Sequence, residues 1–264
     1  MSKYKLLALD LDATLLDSQG RISERNIRAI KKAKGNGVHV AVFTGRSPLG
    51  ASIVWENGLF YDVAACFGGA VIKNMRTNEV LHSNYLKHDL VRKSLDYATK
   101  CSLVSQIYVD DYVVSECENP YTQRYIEYLK LKCIYDNEIR NKKWTNVPKV
   151  LYFADSNELM AHLEATRNEF KDCMEVTASS KYFIELSDLN STKGKALEWF
   201  CKHLDISPSE TIAVGDSLLD LSMIKAADIG IAVKNAHPDL LNEADYVSPS
   251  CDEHAIEWVV QNFI

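Results

Sequence analysis

Asp10, Asp12 and Thr14 alternate along the chain immediately after the strand-like run Lys5 to Leu9. Thr44, Gly45 and Arg46 follow a second β-branched run, Val38 to Phe43, and Asp216 and Asp220 follow a third that ends at Val214. In an open parallel sheet, ligands bind beyond the carboxyl ends of the strands, so polar residues closing successive strands converge on one crevice. Three or four carboxylates in one crevice repel one another and need a cation. With oxygen donors and neither His nor Cys among them, the cation is a hard one, and partly hydrated magnesium that also touches a phosphate fits the set. Aspartate is equally common at helix caps and in loops, so any one of these positions taken alone reads as well as a cap.

The elements that must position these residues are legible at both ends of the chain. A helix is expected from Ser23 to Lys34, with Ser23 as its N-cap and Gly35 and Gly37 as its stop. Strand, helix and strand in succession imply parallel pairing. The same grammar returns with a helix from Lys193 to His203, a strand from Thr211 to Val214, a helix from Leu218 to Ala226 and a strand from Ile229 to Val233. Another helix is expected after Arg46.

The middle of the chain differs. A helix from Asp89 to Lys100 precedes two adjacent strands, Val104 to Val109 and Tyr112 to Glu116, whose closeness implies antiparallel pairing. Helices from Tyr121 to Lys130 and Ser156 to Phe170, strands from Val150 to Ala154, Met174 to Thr177 and Phe183 to Leu186, and a polar loop from Asp136 to Pro148 complete an α+β insert. Ten of the 13 tyrosines fall in this insert, either as an aromatic surface or as packing on a sheet.

Bulk properties exclude several classes. With 47% hydrophobic and 25% charged residues in 264, the chain can bury a sizeable core. A formal charge of -6 argues against broad binding to nucleic acid or an anionic membrane, both of which need a basic face. No run of about 18 apolar residues is present and the start of the chain lacks a signal-peptide pattern, so a soluble, cytoplasmic protein is expected. Seven cysteines, odd in number and without a C-x-x-C pair, read as free, mostly buried thiols.

Taken together, the polar strand endings resemble the haloacid dehalogenase (HAD) superfamily of aspartate-dependent phosphatases. Its D-x-D-x-T motif stands here as Asp10-Leu11-Asp12-Ala13-Thr14, its second-motif Thr as Thr44, its third-motif Lys as Lys193 in Ser191-Thr192-Lys193-Gly194, and its fourth motif as Gly215-Asp216-Ser217-Leu218-Leu219-Asp220. The run Gly230 to Ala236, with Ala244-Asp245 and Asp252-Glu253, is similar to the Cof-type sugar-phosphatase branch. The resemblance implies an α/β fold: a Rossmann-like parallel-sheet core domain at residues 1–84 and 189–264, with an inserted α+β cap domain of type IIB at 85–188.

It also implies roles, which the chemistry supports. Asp10 would attack phosphorus and Asp12 would act as general acid and base. Magnesium would rest on Asp10 and Asp216, on the backbone carbonyl of Asp12, and on Asp220 directly or through water. Thr44 and Lys193 would hold phosphoryl oxygens, Lys193 also pairing Asp10, with Gly45 beside them. Arg46 would bind a substrate or cap carboxylate or form a surface ion pair, and Asn235 would order metal-bound water or cap a turn. Four positions depart from the family pattern: Ala13 for Gly, Gly68 for Asn, Leu219 for Asn and Cys251 for Asn. The expected activity is magnesium-dependent hydrolysis of a small phosphorylated metabolite, such as a sugar phosphate, through an aspartyl phosphate. The alternatives are a phosphomutase and a weakly active or non-catalytic metabolite-binding module. Nothing in the sequence sets an oligomeric state.

Overall fold

A computed structural model describes residues 2–55, 59–155, 157–180 and 182–264. The chain divides into two compact units, Met1–His82 with Thr192–Ile264, and Ser83–Ser191.

The first unit is built on a five-stranded sheet. β1 (Leu6–Leu9) is followed by α1 (Glu24–Gly35), β2 (His39–Val42) and the single turn α2 (Pro48–Ala51). A small sheet follows, β3 (Val63–Cys66), β4 (Val71–Asn74) and β5 (Val80–Ser83), in that spatial order. After the second unit the chain returns through α6 (Lys193–Leu204), β12 (Thr211–Gly215), α7 (Leu221–Ala226), β13 (Ile229–Val233), α8 (Pro238–Glu243), β14 (Tyr246–Ser248) and α9 (Ala255–Phe263). The main sheet is all parallel in the order β14-β13-β12-β1-β2, with Leu9 opposite Val42 on one side and Val214 on the other. Every residue of β1 and β12 is buried, as a strand covered by helices on both faces requires. Each fully buried Leu, Val or Ile there contributes roughly 1.5–3 kcal/mol. Local chemistry sets the helix ends: the Ser23 side chain accepts the N–H of Asn26, and Gly37 leaves the helix at φ +84°.

The sheet order fixes where chemistry can occur. The chain moves from β1 outward to β2, then returns to the other side of β1 as β12 and continues to β13 and β14. Between β1 and β12 the connections diverge, and a crevice opens at the carboxyl ends of those two strands. Asp10 and Asp216 are the residues that follow them.

The second unit carries α3 (His88–Lys100), β6 (Val104–Val109), β7 (Tyr112–Ser115), α4 (Pro120–Leu129), β8 (Lys132–Tyr135), β9 (Lys149–Phe153), α5 (Leu159–Phe170), β10 (Glu175–Ser180) and β11 (Phe183–Ser187). Its sheet runs β10-β11-β9-β6-β7-β8 and is antiparallel except for β7 and β8. Val91, Ser94, Leu95 and Ala98 form the buried stripe of α3, at the 3.6-residue period of an amphipathic helix. Val91, Leu95 and Ala98 join Leu163 and Phe170 of α5 and Ile107, Val150 and Ile184 of the sheet in one core.

Three features differ from the sequence expectation. The β3–β4–β5 sheet was not foreseen, because Val63-Ala-Ala-Cys66 is short, half alanine, and broken by Phe67, Gly68 and Gly69, all at positive φ. β8 was missed because it is a short, largely exposed edge strand made parallel to β7 by α4. Only three cysteines, Cys66, Cys201 and Cys251, are fully buried, although all seven are free. The expected start of a helix at Ser156 lies outside the described residues; α5 begins at Leu159. The tyrosines divide: Tyr108, Tyr125 and Tyr152 are buried, with the Tyr108 and Tyr125 hydroxyls 2.7 Å apart, whereas Tyr121, Tyr135 and Tyr182 are exposed. No helix among the described residues is long and apolar enough to cross a membrane.

Gly69 ties the small sheet to the start of α6. At φ +105° it accepts no L side chain without strain, and an added Cβ would lie 2.4 Å from the carbonyl oxygen of Thr192. Gly69→Ala is therefore expected to destabilise the protein by on the order of 2–4 kcal/mol in urea unfolding. An unchanged midpoint would show that the N-terminus of α6 can shift freely.

Candidate active site

The Asp10 N–H donates to the Val214 carbonyl at 2.9 Å, continuing the β1–β12 ladder by one rung and fixing the residue at the mouth of the crevice. From Leu11 the chain makes a wide turn closed by the Leu16 N–H on the Leu11 carbonyl, 2.9 Å. Within it Ala13 is left-handed, φ +54°. The Thr14 hydroxyl donates to Asp216 Oδ1 at 3.2 Å, linking this loop to the one after β12.

Lys193 opens α6, whose N-cap Thr192 accepts the N–H of Lys195. A cation at a helix N-terminus opposes the helix dipole, and a buried one must be paired. Its Nζ donates to one carboxylate oxygen of Asp10 and one of Asp220, with all three side chains at most 7% exposed. Burial alone would lower the proton affinity of the ammonium, but the two carboxylates more than reverse this and hold it above the ordinary lysine range.

The acids are poised differently from one another. Asp220 is saturated with protein donors: Oδ2 accepts the N–H groups of Asp216 (3.1 Å) and Ser217 (2.9 Å) and the Ser217 hydroxyl (3.0 Å), while Oδ1 faces Lys193. Burial pushes the Asp10 carboxyl well above its usual range, with Asp220 and Asp216 adding to the effect and Lys193 opposing it. Asp216 is pushed up to about 6, by burial first and then by Asp220. Asp10, Asp216 and Asp220 each offer an oxygen, and these lie within 4.8 Å of one another. A cluster of hard oxygen donors whose carboxyl groups are pushed up by burial and by one another is short of positive charge and fits a divalent cation.

The other expected residues group around this centre. Asp12 is exposed and bound by the guanidinium of Arg46, Nε to Oδ2 at 2.8 Å and Nη2 to Oδ1 at 2.6 Å. Thr44 is buried, and its hydroxyl accepts the Arg46 N–H at 3.1 Å. Gly45 faces Leu219, whose Cδ1 would lie 3.8 Å from an added Cβ. Asn235 stands behind the first loop: its amide donates to the Ala13 carbonyl at 2.8 Å and accepts the Cys251 N–H at 2.9 Å. Sequence reasoning gave no part to Ser217, although the spacing Ser217-x-x-Asp220 is that of a reciprocal helix cap. Ser222, which accepts the Gly194 N–H at 3.0 Å, carried no sequence signal.

The departures from the family pattern resolve physically. Gly68, at φ +68°, adopts the left-handed conformation that Asn also tolerates. Cys251 makes its contact with Asn235 through its backbone, which a change of side chain leaves in place. Leu219 sets an apolar chain beside Gly45, and Ala13 holds a conformation that favours glycine.

A doubly wound parallel sheet with clustered acids and a buried lysine at its switch point defines a hydrolase of the HAD class. The chain matches the haloacid dehalogenase-like hydrolase family over residues 7–260 and belongs to it. It is 28% identical to phosphatase YwpJ of Bacillus subtilis, covering 98% of this chain and all of that one. It is 27% identical to the Bacillus subtilis 5-amino-6-(5-phospho-D-ribitylamino)uracil phosphatase YwtE, covering 98% of each. A haloacid dehalogenase-like hydrolase from Bacteroides thetaiotaomicron superposes with a TM-score of 0.84 at 27% identity, covering 99% of this chain and 100% of that one. The HAD subclass IIB sugar phosphatase BT4131 shares the fold, with a TM-score of 0.83 at 23% identity and 98% of each chain covered. The protein is accordingly a HAD-type phosphatase of the Cof-type branch.

Two expectations follow from the geometry. Ala13→Gly removes left-handed strain and should stabilise the fold by about 0.5–1 kcal/mol after the added unfolded-state entropy, measured by chemical denaturation; a loss of stability would mean that residue 13 is not held left-handed. Because the native state binds the Asp216 proton more tightly than the unfolded chain, metal-free stability should fall as pH rises from 3.8 through about 6. Thermal midpoints should therefore show magnesium stabilising more at about pH 7.5 than at about pH 5, and an equal shift at both would count against the acid cluster as its site.

Proposed function

We propose that this phosphatase hydrolyses a small phosphorylated metabolite, a sugar phosphate or similar phosphorylated polyol, in a magnesium-dependent reaction through an aspartyl phosphate on Asp10. The observation that carries this reading is the buried contact of Lys193 with Asp10 and Asp220 beside Asp216. It keeps a carboxylate oriented at a strand end while assembling both charges that a phosphoryl group needs.

The carboxylates of Asp10 and Asp216 and the backbone carbonyl of Asp12 would hold magnesium. Asp220, whose Oδ2 takes three protein donors and whose Oδ1 faces Lys193, would reach the ion directly or through water and also orients Lys193 and the loop after β12. When bound, the ion offsets repulsion between an anionic nucleophile and an anionic substrate. Asp10 attacks phosphorus as the bond to the leaving oxygen breaks, and Asp12 gives that oxygen a proton. Water then attacks the phosphorus of the aspartyl phosphate, Asp12 takes a proton from it, and the bond to Asp10 breaks, releasing inorganic phosphate and regenerating the Asp10 carboxylate. Lys193 and the Thr44 hydroxyl, which accepts from the backbone and so has its own proton to donate, hold phosphoryl oxygens as charge shifts among them. Ser83–Ser191 takes the role of the type IIB cap, selecting the organic part of the substrate. Two relatives at 27–28% identity are named as phosphatases, and the name of one, a 5-amino-6-(5-phospho-D-ribitylamino)uracil phosphatase, supports a phosphorylated-polyol substrate. Free thiols throughout accord with a reducing, cytoplasmic setting.

Phosphate release from an aryl phosphate and from a panel of sugar phosphates, with and without magnesium, tests the proposal. Asp10→Asn should lower kcat by about 10³-fold or more, and chelation should do likewise. Isomerisation without free phosphate would point to a mutase instead, and full activity of Asp10→Asn would rule out the aspartyl phosphate.

A further inference from the structure

We propose that Arg46 is the positioning residue of Asp12, seating the acid/base carboxylate on its guanidinium fork, and is not a ligand for the phosphoryl group. This rests on the phosphatase reading, in which Asp12 protonates the leaving oxygen.

Arg46 is the fixed partner of the pair. Its side chain is 24% exposed, against 57% for Asp12. Nη1 donates to the Gly50 carbonyl at 3.2 Å, and Gly50 is itself held by its N–H on the Ser47 hydroxyl at 3.1 Å. The backbone N–H of Arg46 is tied to Thr44. Asp12, by contrast, sits on an exposed turn beside the left-handed Ala13. Among the described residues, the hydrogen bonds given to its carboxylate come from Arg46 alone, one to each oxygen. The order of the acid/base group therefore derives from the fork.

Both oxygens are engaged, so the one that delivers a proton must first leave its N–H. The other hydrogen bond then serves as a pivot that keeps the carboxyl group within reach. As the phosphorus–oxygen bond breaks, its electron pair passes to the leaving oxygen and the Asp12 proton follows it. A lysine at 46 would keep the charge and lose the pivot, since an ammonium has no planar fork.

Leaving-group dependence separates positioning from phosphoryl binding. An aryl oxide departs without a proton, whereas an alkoxide needs one. The quantity to read is kcat/KM, which reports formation of the aspartyl phosphate and is unaffected by its later hydrolysis. The probes are 4-nitrophenyl phosphate and the most active sugar phosphate of the panel, with inorganic phosphate as inhibitor. For Arg46→Lys and Arg46→Ala, kcat/KM with the sugar phosphate should fall about 10- to 100-fold, while 4-nitrophenyl phosphate loses less than about threefold and phosphate inhibits as before. Asp12→Ala should show the same selectivity more strongly. Equal losses on both substrates with weakened phosphate inhibition would make Arg46 a phosphoryl ligand and overturn the inference. Unchanged kinetics would reduce the pair to a surface ion pair and overturn it as well. Should Arg46→Ala not fold, the lysine variant alone decides. Failure of the phosphatase reading itself would appear separately, as a wild-type protein that turns over neither substrate.

Discussion

The ion triad of Lys193 with Asp10 and Asp220 is the interaction on which the site depends. Removing one member of such a group leaves an uncompensated charge in the interior, which costs about 3–5 kcal/mol. The three residues come from the end of β1, the first turn of α6 and the loop after β12, so satisfying their charges also fixes those three segments against one another. Asp220 extends the constraint by holding the backbone of Asp216 and Ser217, which places the second acid of the cluster. A local electrostatic requirement is in this way converted into the positions of four functional groups.

The sheet supplies what the triad cannot. Its switch in strand order between β1 and β12 opens the crevice, and the buried strands on either side make its floor stiff. Behind the floor, Asn235 and the N–H of His237, which donates to the Asp216 carbonyl at 2.7 Å, bind the turn after β13 to both acidic loops. The loops are thus clamped from the rear by polar contacts that do not involve the carboxylates of Asp10 and Asp216, which leaves those groups to the proposed chemistry.

Much of this was legible in the chain. β1, β2, β12 and β13 are continuous apolar runs, and each ends abruptly on polar residues, which is the signature of a parallel strand leading to a ligand crevice. Helix caps such as Ser23 announced their elements because one side chain satisfies one backbone N–H. What escaped were features set by tertiary context. β3 and β4 are a four-residue pair around glycines, and β8 exists because α4 carries the chain back to an edge. The left-handed state of Ala13 is imposed by closure of a loop, which a single residue type does not report. The saturation of Asp220 by Ser217 and the duty of Asn235 as a clamp required knowledge of which backbone groups lay nearby. The identity of the polar residues was readable, and their hydrogen-bonding partners were not.

The interrupted first unit has a consequence for biosynthesis. Leu6 pairs with Thr211, so β1 waits for more than 200 further residues before one of its two edges is covered. At about 5–20 residues per second, that edge stays open for on the order of 10–40 seconds on the ribosome. Residues 83–191, being contiguous, find all their strand partners within that interval. The nascent chain therefore carries a finished insert and an unfinished core, and its exposed leucine-rich edge is the segment for which a chaperone would have to compete with aggregation.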